Sequence, residues 1–129
     1  MVQFLSPEWM DELNRAAAED QELAEAARDV HLTLKQVVSR PGQDEASYTL
    51  RIDGGRVEVA PGEAGTPDVT LTEDYATAAA LARGELTAQA ALLAGLVRVK
   101  GDTEALARGQ QAMARAQLCF DRVREHTTY

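Results

Sequence analysis

Few residues of this chain have the types and spacing that chemistry needs. It holds two histidines and one cysteine in 129 residues. His31 falls in an alternating segment, on the polar side with Thr33 and Lys35, and reads as a surface residue. His126 stands near the C-terminus. Histidines so placed make no metal set, and no Cys/His spacing supports zinc. Cys119 lies beside Phe120 on an apolar helical face, with no basic neighbour evident to lower its pKa. It reads as a buried, inert thiol. The acidic run Glu19-Asp20-Gln21-Glu22 reads as a solvated helix face. Asp53-Gly54-Gly55 suits a hairpin and is no phosphate cradle, because no Gly-Lys-Ser/Thr follows. With no triad and no carboxylate pair, the expectation is a protein that is not an enzyme and uses no cofactor and no metal.

Composition narrows the partners. The formal net charge is −8, and nucleic acid is bound by positive surfaces that displace counterions from phosphates. No nucleic-acid partner is expected. The hydrophobic fraction of 45% supports one packed core, and length points to a single domain over residues 1–129. Aromatics are 5%, so aliphatic side chains and alanine must line any core or pocket. A lone cysteine suits a reducing compartment. The start MVQFLSPEWMDEL has no basic segment and no long apolar run, so it does not read as a signal peptide. No window approaches 18 consecutive apolar residues, and no integral membrane segment is expected. Together these suggest a cytoplasmic protein.

The elements follow from period and caps. Ser6-Pro7-Glu8 opens a helix, with Ser6 as N-cap and Pro7 in the first turn. Its apolar face runs through Trp9, Leu13, Ala16, Ala17, Leu23, Ala24 and Ala27, interrupted at Asp20. Period two then takes over. Val30, Leu32, Leu34 and Val38 form one strand. Ala46, Tyr48, Leu50 and Ile52 form the next, and Val57 and Val59 continue past the Asp53-Gly54 turn. A Gly/Pro-rich loop spans 61–67, and Val69 and Leu71 make a fourth strand. Four consecutive strands with short links predict an antiparallel meander with one covered face. Thr72 is then read as a helix N-cap, with Glu73 and Asp74 in the first turn. That short helix ends at Gly84. Thr87 caps a second one, stopped by Gly95. Val97 and Val99 mark a fifth strand. Asp102 caps one last helix with Leu106, Met113, Ala116, Phe120 and Val123 on a single stripe.

The short helices are rich in alanine. Small faces let a helix sit close to a sheet or leave a void, and an empty apolar void costs about 24 cal/mol per Å3. Residue types alone leave both arrangements open.

The stretch Gly84-Glu-Leu86, Gln89-Ala-Ala-Leu92-Leu93, Gly95-Leu-Val97-Arg98-Val99-Lys100-Gly101-Asp102 resembles the signature of the sterol carrier protein type two family. Pro67-Asp68-Val69-Thr70-Leu71-Thr72 resembles the strand before that family's short helices. Phe4-Leu5-Ser6-Pro7-Glu8-Trp9 looks like the first helix of its small free-standing bacterial members. The resemblance implies an α+β fold, a five-stranded, mainly antiparallel sheet with helices packed on one face. It also implies an apolar tunnel between sheet and helices that accepts a fatty acyl chain, an acyl-CoA or a sterol-like lipid. On that implication, Leu81, Leu86, Leu92, Leu93, Val97, Leu106, Met113 and Phe120 are the candidate pocket lining.

Departures from the family pattern are specific. Thr87-Ala88 stand where Asp-Pro or Asn-Pro is frequent. Leu92-Leu93 replace a pair of phenylalanines found in some members. Leu96 replaces a common lysine, so an apolar side chain joins an otherwise basic row. The peroxisomal ending of eukaryotic members is absent. The expected partner is a hydrophobic small molecule. The alternative is a collapsed pocket and an interaction surface, with a homodimer formed through Leu96 or the Trp9 helix.

Overall fold

The computed structural model describes residues 1–62 and 65–129. The 61–67 loop expected from sequence therefore includes two positions, 63 and 64, outside the described residues. In chain order the elements are β1 Val2–Gln3, α1 Pro7–Ala18, α2 Gln21–Ala26, β2 His31–Ser39, β3 Ala46–Asp53, β4 Arg56–Pro61, β5 Val69–Asp74, α3 Tyr75–Ala82, α4 Ala88–Leu93, β6 Arg98–Gly101, α5 Thr103–Arg108, α6 Gln110–Phe120 and β7 Thr127–Thr128.

The expected α+β architecture is present. A five-stranded sheet runs in the order β4-β3-β2-β5-β6, with β2 and β5 parallel and the other neighbours antiparallel. The expected four-strand meander is corrected in its last member. β5 does not continue beside β4 but crosses to pair with β2. The reason lies in β2. Leu32, Leu34 and Val38 are almost wholly buried, so this strand takes the centre and needs a partner on each edge. The ends of the crossover are pinned. Thr49 Oγ1 donates to Gly62 O (2.7 Å), Asp68 N donates to Thr33 O (2.8 Å), and Thr33 N donates to Asp68 Oδ2 (2.8 Å).

Helix starts follow their caps. Ser6 Oγ accepts from Trp9 N at 3.2 Å, Thr87 Oγ1 from Ala90 N at 3.1 Å and Asp102 Oδ1 from Ala105 N at 3.0 Å. The last helix is two helices rather than the one expected. Chain direction changes at Gly109, which is buried so close to β2 that a Cβ there would meet Leu32 Cδ2 at 3.1 Å. The main core lies between the helices and one face of the sheet, drawing on residues from Phe4 to Val123. A second cluster, Ala17, Leu23, Ala116 and Cys119, joins α1, α2 and α6. Both termini are tied together by the short parallel pairing of β1 with β7.

Candidate functional site

The covered face of the sheet is set by strand parity. Leu34, Leu50, Val59 and Val69 share one cross-strand row, and all four are buried. Two residues along β5 from Val69 is Leu71, and two further is Glu73. Glu73 pairs with Val38, which is fully buried, so both point towards the helices. Glu73 is 8% exposed.

This corrects the expectation that Glu73 occupies a solvated first turn capped by Thr72. The strand runs on to Asp74, because β2 extends to Ser39 and supplies pairing partners for both acids. Asp74 is the N-cap, its Oδ1 accepting from Thr77 N at 2.8 Å. The Thr77 side chain first, and then this backbone bond, holds its carboxyl below the usual range.

Around Glu73 the environment is aromatic. Tyr48 lies on the same face of β3 and packs edge-on against Trp9, with ring centres 5.6 Å apart. Trp9 meets Phe4 at 5.0 Å, and Phe4 meets Tyr75 at 5.7 Å and Tyr129 at 5.1 Å. Five of the chain's six aromatic residues thus form one cluster. Burial is the main cause that lifts the Glu73 carboxyl to about 7, and the Asp74 charge adds to it. Burial likewise pushes the Tyr48 phenol far up, with Glu73 contributing. Among the described residues, no donor stands within hydrogen-bonding distance of the Glu73 carboxyl.

The eight aliphatic and aromatic residues expected to line a pocket fall into two groups. Leu106, Met113 and Phe120 are half-buried and pack against the main core. Leu81, Leu86 and Val97 are half-buried but stand outside both core clusters. Leu92 is 45% exposed and Leu93 84% exposed, with Leu96 beside them at 44%. α4 is anchored by a single buried residue, Ala91. The segment 81–97 therefore forms an apolar lip that the core has not absorbed. Val97 stands one step past the last β5–β6 pair, Thr72 with Arg98. Two surface hollows lie elsewhere. One is in the 40–44 loop, and one of about 180 Å3 lies between Glu12, Arg15 and Arg122.

The sequence pattern of the SCP-2 sterol transfer family matches residues 11–114. The chain belongs to that family. No curated protein matches it. Solved structures share the family's fold. A conserved hypothetical protein from Thermus thermophilus is 23% identical, with a TM-score of 0.79, over 95% of this chain and 91% of its own. Sterol carrier protein 2 is 23% identical, with a TM-score of 0.77, over 92% and 97%. A palmitated sterol-carrier-like protein from Aedes aegypti is 22% identical, with a TM-score of 0.63, over 88% and 94%.

Within this family fold, the remaining polar clusters are structural. Asp20 was expected on a solvated face, and it is 5% exposed instead. Its Oδ1 accepts from Leu23 N at 3.0 Å and caps α2. Arg115 Nη2 lies 3.1 Å and Arg122 Nη2 3.5 Å from Oδ2. The cap bond is the largest influence lowering the Asp20 carboxyl, and both arginines add to it. These arginines, one turn either side of Cys119, are the basic neighbours that sequence reading passed over. The thiol is still pushed up, first by burial and then by Asp20, so it remains protonated and unreactive. His31 is exposed, with Nδ1 2.7 Å from Asp53 Oδ1 across the hairpin mouth. Among the described residues, no group of three or more His, Cys, Asp or Glu could hold a metal ion, and no helix is long and apolar enough to cross a membrane.

Proposed function

We propose that this protein is a non-catalytic, cytoplasmic carrier of an apolar ligand, a fatty acyl chain, acyl-CoA or sterol-like lipid. The ligand's tail would lie between the short helices and the sheet, entering past Leu92 and Leu93. The observation that carries the reading is the 81–97 segment. Five of its leucines and Val97 remain outside the core clusters in a family member whose neighbours include a palmitated protein. Exposed apolar patches of this kind mark binding grooves. Each methylene withdrawn from water contributes about 0.8 kcal/mol, so chain length dominates affinity and specificity for the tail is broad.

The test is denaturing mass spectrometry of an organic extract of the purified protein, together with titration by a fluorescent fatty acid and a fluorescent sterol. Co-purified lipid or saturable binding supports the reading. An empty extract with no saturable binding of either probe overturns it. The exposure of Leu93 and Leu96 favours one second reading, a homodimer formed through this lip. Light scattering of the protein and of Leu96→Asp decides it. A dimer that becomes a monomer supports self-association, and a monomer in both cases removes it.

A further inference from the structure

A carboxyl group buried at an apolar face is costly unless something satisfies it. Glu73 is 8% exposed and has no hydrogen-bond donor among the described residues. Its cross-strand neighbour Val38 and its own-strand neighbour Leu71 are apolar, and the helix packed above begins at Tyr75. The charged group that acts on it is Asp74, which is of the same sign. On β3 the same row holds Ala46, and Tyr48, one row along on the same face, is a neutral phenol that feels the Glu73 charge. Among the described residues, Arg115 Nε is the fully buried side-chain N or O atom left unpartnered, so the Glu73 oxygens are not wholly closed off. The carboxyl is thus an unused acceptor on the wall of the compartment assigned to the ligand.

We propose that Glu73 is the head-group recognition point of this compartment, accepting a hydrogen bond from the hydroxyl or ammonium end of an apolar ligand and turning away a free carboxylate. The inference rests on the carrier reading above and narrows it to ligands with a hydrogen-bond-donating head. A donor bound to a buried carboxylate makes a charge-assisted bond, which is stronger than a neutral one. A second carboxylate there would add a third negative charge beside Glu73 and Asp74 and leave an acceptor facing an acceptor. Such a ligand is admitted only when Glu73 carries a proton, and burial extends that condition to about pH 7.

The experiment uses three probes of one chain length, dodecylamine, dodecanol and laurate, titrated into the full chain below their aggregation concentrations. Trp9 is the only tryptophan and touches Tyr48, so its fluorescence reports on the site, with calorimetry as a second readout. At pH 8.5 the amine and the alcohol are expected to bind about tenfold or more tighter than laurate. In Glu73→Gln, which keeps shape and removes charge, the preference over laurate falls to about threefold or less. Should that variant fail to fold, the unmodified protein still decides. Laurate affinity must rise about tenfold between pH 8.5 and 5.5 while dodecanol affinity does not rise. A laurate affinity within threefold of dodecanol at pH 8.5, or a preference unchanged in Glu73→Gln, overturns the assignment and leaves the carrier reading standing. Failure of all three probes to bind overturns both.

Discussion

Glu73 also makes stability depend on pH in a way that can be worked out in advance. Its carboxyl is raised from an ordinary value of 4.5 to about 7 in the folded protein. Between those values the folded chain holds a proton that the unfolded chain has released. Stability therefore falls as pH rises through that window. Each pH unit between the two values is worth about 1.4 kcal/mol, so the full effect is about 3 kcal/mol. About 2.5 kcal/mol of it falls between pH 5 and pH 8, and the curve is flat above pH 8. Glu73→Gln removes the titration while keeping the side chain's shape. Urea unfolding of both proteins at pH 5, 6, 7 and 8 isolates this residue, because every other group cancels in the difference. The variant is expected to gain about 2.5 kcal/mol on the unaltered protein between pH 5 and 8. With a urea slope of about 1.5 kcal/mol per M, that is a relative midpoint shift of about 1.7 M. Two stability curves that stay parallel within about 0.5 kcal/mol over this range would show that the carboxyl is not buried, and the reading of its row would fall with it.

Three other outcomes follow from the same geometry. Asp20→Ala removes the cap of α2 and a buried partner of Arg115, which retains the exposed Glu22 at 3.1 Å; a loss of about 2–4 kcal/mol in urea melts is expected. Because the Asp20 carboxyl is held below its ordinary 3.8, its contribution is present above that value and is lost as pH falls through the folded one, so the gap between Asp20→Ala and the unaltered protein closes in acid. Gly101→Ala forces a side chain into a left-handed conformation, φ +117°, and into the Asp68 carbonyl, whereas Gly95→Ala meets open space at φ +74°; thermal melts should show the first losing about 3 kcal/mol or more and the second about 1 kcal/mol. Leu93→Ser changes a side chain that is 84% exposed, so the urea midpoint should stay put while the affinity for the acyl-chain probes falls about fivefold. A midpoint loss above about 1 kcal/mol would place Leu93 in the core instead.

What could be read from sequence was what local chemistry decides. The hairpin between β3 and β4 announces itself by alternation on both sides of Asp53-Gly54-Gly55, and the pairing of Arg56 with Asp53 follows. Ser6, Thr87 and Asp102 cap helices as their types and positions require. Other features depend on partners distant in the chain. Asp20 belongs to an acidic run that looks solvated until Arg115, 95 residues later, folds against it. β5 looks like the end of a meander until β2 turns out to be central. The helix after β5 reads from its residue types as capped by Thr72, whereas Asp74 is its cap. The length of β2 chose, by offering Val38 and Ser39 as partners.

The inward placement of Glu73 was not read from sequence, and the reason is physical. Eight apolar residues at helical and strand spacing look alike in sequence, whether they fill a core like Met113 or edge a lip like Leu93. Apolar type measures the tendency to leave water and is silent about what replaces it. An acid on an apolar row is different, because burial of a charge must be answered by a partner, a proton or a ligand. The signal for it was present as the run 69, 71, 73, in which period two carries Glu73 inward after Val69 and Leu71. Reading the acid as helix-dipole chemistry broke that period two residues too early. Followed to its end, the alternation Val69, Leu71, Glu73 puts one acid on the covered face of the sheet. On the carrier reading proposed above, that acid would orient a ligand, the tail held by area and the head by one acceptor.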